Sequence, residues 1–160
     1  MSFKCKSGDQ ELLSIDFDAD GWEDLRARNR KDRALKMTCC GADVTLRQTK
    51  LGTQYFAHTK KGSCPAGTDP AEVLLAREVI AKAVRRAGWN VSVEAAGTSS
   101  GEDGWTVDVL ASREGGKPVA FKLQWGRLPL DEVSRFQSVF QAAGIRTLWL
   151  MRQQSIPVEK

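Results

Sequence analysis

Long apolar runs, histidine and internal repeats are what this chain has least of. No stretch approaches the ~20 consecutive apolar residues that a membrane-spanning helix requires, and Met1-Ser2-Phe3-Lys4 is not followed by the apolar run of a secretory signal. The sequence therefore reads as cytoplasmic, with no membrane role. Cysteines number four, Cys5, Cys39, Cys40 and Cys64, and in a reducing compartment such a set points to metal binding or inert burial rather than to disulfides. His58 is the sole histidine, so any task that needs an imidazole falls on that residue. No internal repeat or low-complexity tract is present, which excludes repeat architectures.

What is present suits a folded domain. At 160 residues, with 41% hydrophobic and 28% charged residues and five tryptophans, the chain can bury a sizeable core. Its length fits one compact unit, or one core with a small appendage. A net charge of +4 and a pI near 9.0 favour an anionic partner such as nucleic acid, because lysine and arginine neutralise phosphates and release counterions.

Organisation changes along the chain. Residues 1–66 hold short elements only: a strand at Glu11–Ile15, a charged helix from Trp22 to Arg33, and a hairpin of Asp43–Gln48 with Gln54–Ala57 turning at Leu51-Gly52-Thr53. From residue 67 to 153 the pattern predicts α-β-β-β-α-β, followed by a tail over 154–160. Asp69, Pro70 and Glu72 have the spacing of a capped helix start, and Val73, Ala76, Ile80, Val84 and Ala87 recur on one helical face up to Gly88. Strands follow at Val91–Glu94, Trp105–Ala111 and Val119–Trp125, the last two joined as a hairpin through Arg113–Lys117. Alternation places Trp105, Val107 and Val109 on one face and Asp108 on the other, with Lys122 and Gln124 opposing Phe121 and Leu123. After Pro129 a second amphipathic helix runs to Gly144, and Ile145–Met151 reads as a buried strand. This is an α/β (α+β) architecture, a mixed sheet flanked by helices.

Two groups of residues carry chemistry. Asp108 sits mid-strand among apolar neighbours, where a carboxylate must be paired, metal-bound or solvated. With Lys122, Gln124 and Glu72 it suits a phosphodiesterase site, acidic oxygens holding magnesium or manganese and an amide or amine orienting the attacking water. It equally suits a cross-strand Asp108–Lys122 pair with Glu72 serving only its helix cap. Cys39, Cys40, His58 and Cys64 offer three thiolates and an imidazole, the donors tetrahedral zinc prefers; buried, metal-free cysteines are the alternative. Arg26, Arg28, Arg30, Lys31 and Arg33, with Lys60 and Lys61, can track a phosphate backbone, although Glu23, Asp24 and Asp32 are interleaved with them and a solvated charged helix fits as well.

Several ordered motifs from about Trp22 to Arg152 bear a family likeness. Met37-Thr38-Cys39-Cys40-Gly41, Leu51-Gly52-Thr53-Gln54-Tyr55-Phe56-Ala57-His58, Cys64, Ala87-Gly88-Trp89, Asp108-Val109-Leu110-Ala111, Val119-Ala120-Phe121-Lys122-Leu123-Gln124-Trp125 and Leu148-Trp149-Leu150 together resemble the CoiA-like competence family. The resemblance implies a PD-(D/E)XK restriction-endonuclease-like core preceded by a small β-rich, zinc-ribbon-like module, with DNA as the expected partner. It implies roles for Glu72 as the helix glutamate, Glu94 as the acid ending the first core strand, Asp108 as the magnesium ligand and Gln124 as the motif glutamine. Arg77 falls where the family usually has lysine, and Arg77, Lys60, Lys61 and Arg135 are the expected phosphate contacts.

The pattern departs from the family at one decisive position, since the motif glutamate is replaced by Lys122, and Val73 stands where a histidine is expected. Lysine offers a metal no oxygen and adds a positive charge. Metal-dependent phosphodiester hydrolysis is thus expected of the family and is in question here. The fold may be retained for binding nucleic acid or a protein partner, a second copy of the chain included; a weaker site may rest on Glu72, Glu94 and Asp108; or Lys122 may be an introduced change.

Overall fold

The computed structural model describes residues 1–60, 62–98 and 104–156. The chain is mixed α+β and divides into two compact units, Met1–Glu78 and Val79–Lys160. Their boundary falls within one helix.

In the first unit β1 (Lys4–Ser7) pairs antiparallel with β2 (Gln10–Leu13) and with β3 (Leu35–Met37), while β4 (Val44–Gln48) and β5 (Gln54–His58) form the expected hairpin. The strand predicted at Glu11–Ile15 ends at Leu13, because Ser14–Asp16 turns as a short 3-10 helix. Helix α1 (Ala19–Asp32) starts where Asp18 accepts a hydrogen bond from the Gly21 N–H at 2.8 Å, and it ends at Arg33 in the left-handed conformation, φ 50°. Only Trp22, Leu25 and Asn29 of this charged helix are buried. That narrow stripe docks on Cys5, Leu35, Met37, Val44, Leu46 and Phe56, with the Trp22 and Phe56 rings 5.1 Å apart. Asn29 is the polar member. Its amide donates to the Val44 carbonyl at 2.8 Å and its carbonyl accepts from the Leu35 N–H at 3.0 Å, so one side chain fastens α1 to both β3 and β4.

Helix α2 (Ala71–Arg86) lies where the periodicity placed it, with a rotated buried face. Val73, Leu74, Arg77 and Ala81 are buried, whereas Ala87 is exposed just past the helix end. An arginine can occupy that stripe because its guanidinium donates to Asp69 at 3.1 Å and lies 5.7 Å from the Phe3 ring centroid. Asp69 is thereby engaged by Arg77, and the first helical carbonyl is that of Pro70, which accepts from the Leu74 N–H.

The second unit follows the predicted order. β6 (Asn90–Thr98), β7 (Gly104–Ser112), β8 (Val119–Gln124) and β9 (Arg146–Met151) form one sheet in that sequence, antiparallel twice and then parallel, with α3 (Leu130–Ala142) as the crossover before β9. α3 packs Phe136 and Phe140 against Val107, Ala120, Trp105 and Trp149. Gly97 pairs with Trp105 across the ladder, and the indole lies so close over it that no Cβ fits.

Two expectations fail here. Val107 and Leu110, three positions apart, both join the Phe140 cluster, so strict alternation is broken between them and Val109 does not share the face of Trp105 and Val107. β9 is an edge strand and not a fully buried one: Leu148 and Leu150 are 50% and 37% exposed, because only the alternate residues meet α3.

Replacing Asn29 with alanine orphans two buried backbone groups, each costing about 1–3 kcal/mol. Urea denaturation of Asn29→Ala should show a loss of about 2–4 kcal/mol.

Candidate functional site

The Cys/His cluster belongs to the first unit. Past β3 the chain doubles back in a tight turn, the Met37 N–H donating to the Ala42 carbonyl and the Gly41 N–H to the Met37 carbonyl, with Gly41 at φ 71°. That turn carries Cys39 and Cys40 at its tip. A bridge between Lys36 and Asp43 then joins β3 to the start of β4, whose Val44 pairs with His58 at the end of β5. The Lys36 ammonium binds the Asp43 carboxylate and holds its pKa below the usual carboxylate range, by hydrogen bond first and charge second. The thiol turn and the imidazole are thus brought together by backbone pairing, and Cys64 arrives from the segment after β5.

Cys39 Sγ lies 3.7 Å from Cys40 Sγ, 3.6 Å from Cys64 Sγ and 3.4 Å from His58 Nε2, and Cys40 Sγ lies 3.2 Å from the same nitrogen. All four donor atoms fall within 4.8 Å of one another. Around a tetrahedral zinc with bonds of about 2.3 Å to sulfur and about 2.0–2.1 Å to nitrogen, donors stand roughly 3.6–3.8 Å apart. The set therefore fits a metal such as zinc. Although the residue as a whole is exposed, desolvation of its thiol, and then hydrogen bonds with Cys64 and Cys40, push the Cys39 pKa up to about 12. Cys5 is different: it is fully buried in the core, burial and then the Glu11 charge raise its pKa to about 12, and it belongs to the packing.

The acidic residues divide between the units. Glu72 lies in the first, its carboxylate 3.6 Å from the Lys50 ammonium. In the second, the ladder that pairs Val93 with Val109 and Ala95 with Val107 is interrupted between them, at Glu94 and Asp108. Glu94 stands at φ 49°, a left-handed strand residue of the kind that stores about 1–3 kcal/mol. On the other side of Asp108, Lys122 Nζ is 4.0 Å from Oδ2, and the same oxygen accepts the Leu123 N–H at 2.7 Å. Asp108 is only 8% exposed. Its carboxylate takes the place of a ladder carbonyl for β8, which answers the desolvation problem that the sequence posed. Gln124, two residues beyond Lys122 on the same strand face, donates its amide to the Gly126 carbonyl at 2.9 Å.

The expected phosphate contacts fare unevenly. Arg77 is 5% exposed and committed to Asp69 and Phe3, so it is withdrawn from any nucleic acid. Arg135 is exposed on α3 with its guanidinium 4.7 Å from the Phe136 centroid, Lys60 is exposed directly after Thr59, and Lys61 lies outside the described residues. Leu123 was not foreseen as a partner of Asp108, since a backbone donor leaves no mark in residue types. No described helix is long and apolar enough to cross a membrane.

No family model and no curated protein matches the chain. Among solved structures it is similar to the protein of unknown function AF1548, with TM-score 0.40 and 12% identity, covering 50% of this chain and 47% of that one. The chain thus spans about half the length of that protein.

Metal binding must displace thiol protons, so zinc affinity should rise with pH, by about tenfold per unit for each thiol still protonated in the metal-free protein. Chelator competition at about pH 6 and about pH 8 measures this slope, and Cys39→Ser should flatten it while lowering bound zinc.

Proposed function

We propose that the second unit is a PD-(D/E)XK-type nuclease fold like that of the CoiA-like competence family, that the protein acts on DNA, and that hydrolysis is silenced by Lys122. The observation that carries this reading is the row of Glu94, Asp108 and Lys122 across three adjacent strands, the ammonium 4.0 Å from the Asp108 carboxylate. In a working site of this type a magnesium ion would be bound through Asp108 and an oxygen at position 122, polarising a phosphodiester and activating water. Here a cation of the protein's own stands beside that carboxylate. A divalent ion approaching the same oxygen would face repulsion from a fixed positive charge at close range. Gln124, on the strand face of Lys122, keeps the place of the residue that would orient the water.

The mixed sheet, the preceding helix and the basic net charge support the same reading. In the first unit the Cys/His cluster serves as a structural zinc staple, joining the β3 turn to the end of β5 in a module with a modest core. Its role is to hold shape, since three thiols and an imidazole complete a tetrahedral set and leave no open position for a reacting water.

Cleavage of single- and double-stranded DNA with magnesium or manganese, by this chain and by Lys122→Glu, tests the reading. Cleavage by the variant alone is expected. Absence of cleavage in both, with DNA binding intact, would replace it with a purely non-catalytic binding module.

A further inference from the structure

The first unit holds a cleft that the nuclease reading leaves unused. Arg26, Arg30 and Arg33 line one side, and Thr45 and Thr59 line the other with Asp43. Arg26 and Arg30 are one turn apart on α1, and Arg33 follows at its left-handed cap. The acids interleaved with them in sequence are sorted away by the helix: at about 100° per residue, Asp24 and Asp32 fall roughly 160° and 120° around the axis from Arg26. Glu23 does share the arginine face and engages Arg26 at 3.0 Å. Arg30 and Arg33 have no ion pair among the described residues. Asp43, the one acid lining the cleft, is already engaged by Lys36. Two uncompensated guanidinium groups therefore face a pair of hydroxyls, Thr45 Oγ1 and Thr59 Oγ1, which are 2.9 Å apart. The space is about 200 Å³, room for several water-sized groups.

We infer that this cleft is a phosphate-binding site, taking a backbone phosphate of DNA between the Arg30 and Arg33 guanidinium groups and the Thr45 and Thr59 hydroxyls. The chemistry is that of an oxyanion, met by forked donors on one side and hydroxyl donors on the other. For its ligand the inference rests on the DNA reading above. Its location is separate, because every group named lies in the first unit. Thr59 directly follows the metal-ligand candidate His58, so the cluster that fixes the end of β5 also fixes one wall of the cleft.

The test is fluorescence anisotropy of labelled single- and double-stranded DNA over a series of salt concentrations, with the full chain and with Arg30→Ala/Arg33→Asn. Asparagine tolerates the left-handed backbone at position 33, and unchanged circular dichroism and zinc content confirm that the variant is folded. Binding should weaken about tenfold or more, and the slope of log affinity against log salt should shrink by about 2. Equal affinity and slope in the two proteins would overturn the cleft and leave the DNA reading standing. No DNA binding by the unaltered chain would overturn both. Displacement of DNA by inorganic phosphate at equal phosphate concentration would assign the cleft to free phosphate and overturn the backbone assignment.

Discussion

A carboxylate sunk into a sheet must find partners or be neutralised, and the second unit is arranged around how Asp108 meets that requirement. It takes the Leu123 N–H as a hydrogen-bond donor and the Lys122 ammonium as a charge. Both partners come from β8, so the carboxylate stitches the β7–β8 pair at the point where the printed ladder beginning at Val109 and Phe121 gives out. The same arrangement has a chemical cost: an oxygen committed to a backbone donor and an ammonium is poorly placed to serve a metal. Structural satisfaction and catalytic readiness compete for one side chain, and in this chain the structural partners hold it.

Much of the second unit was legible because its signals are local. The apolar spacing before Gly88 and Gly144, the turn residues between Ser112 and Val119 and the run at Arg146–Met151 gave the order of elements. The first unit was less so. β1 and β3 are four and three residues long and join residues some thirty apart, Cys5 with Met37, and pairing at that separation leaves no periodicity to read. The hairpin of β4 and β5, with its turn close in sequence, was visible.

Among the candidate site residues the same distinction holds. Three cysteines and one histidine suggested a ligand set by their chemistry, and the backbone brings their donor atoms together. Arg77 misled because residue type alone marks it as exposed, whereas Asp69 and Phe3 make its burial tolerable. The arginines of α1 looked diluted by neighbouring acids in linear order, and only the helical arrangement separates the two signs. The break in alternation between Val107 and Leu110 was illegible, since it depends on Glu94 adopting a left-handed backbone in the neighbouring strand.

The contact between Gly97 and Trp105 has a consequence for how this sequence can drift. With the indole lying across the glycine, even a single methyl at position 97 would collide with the ring, and the ring in turn touches Phe140 from α3. The pair can therefore change only together. A smaller residue at 105 would have to precede any side chain at 97, which makes the glycine a site of historical contingency although it carries no chemistry of its own.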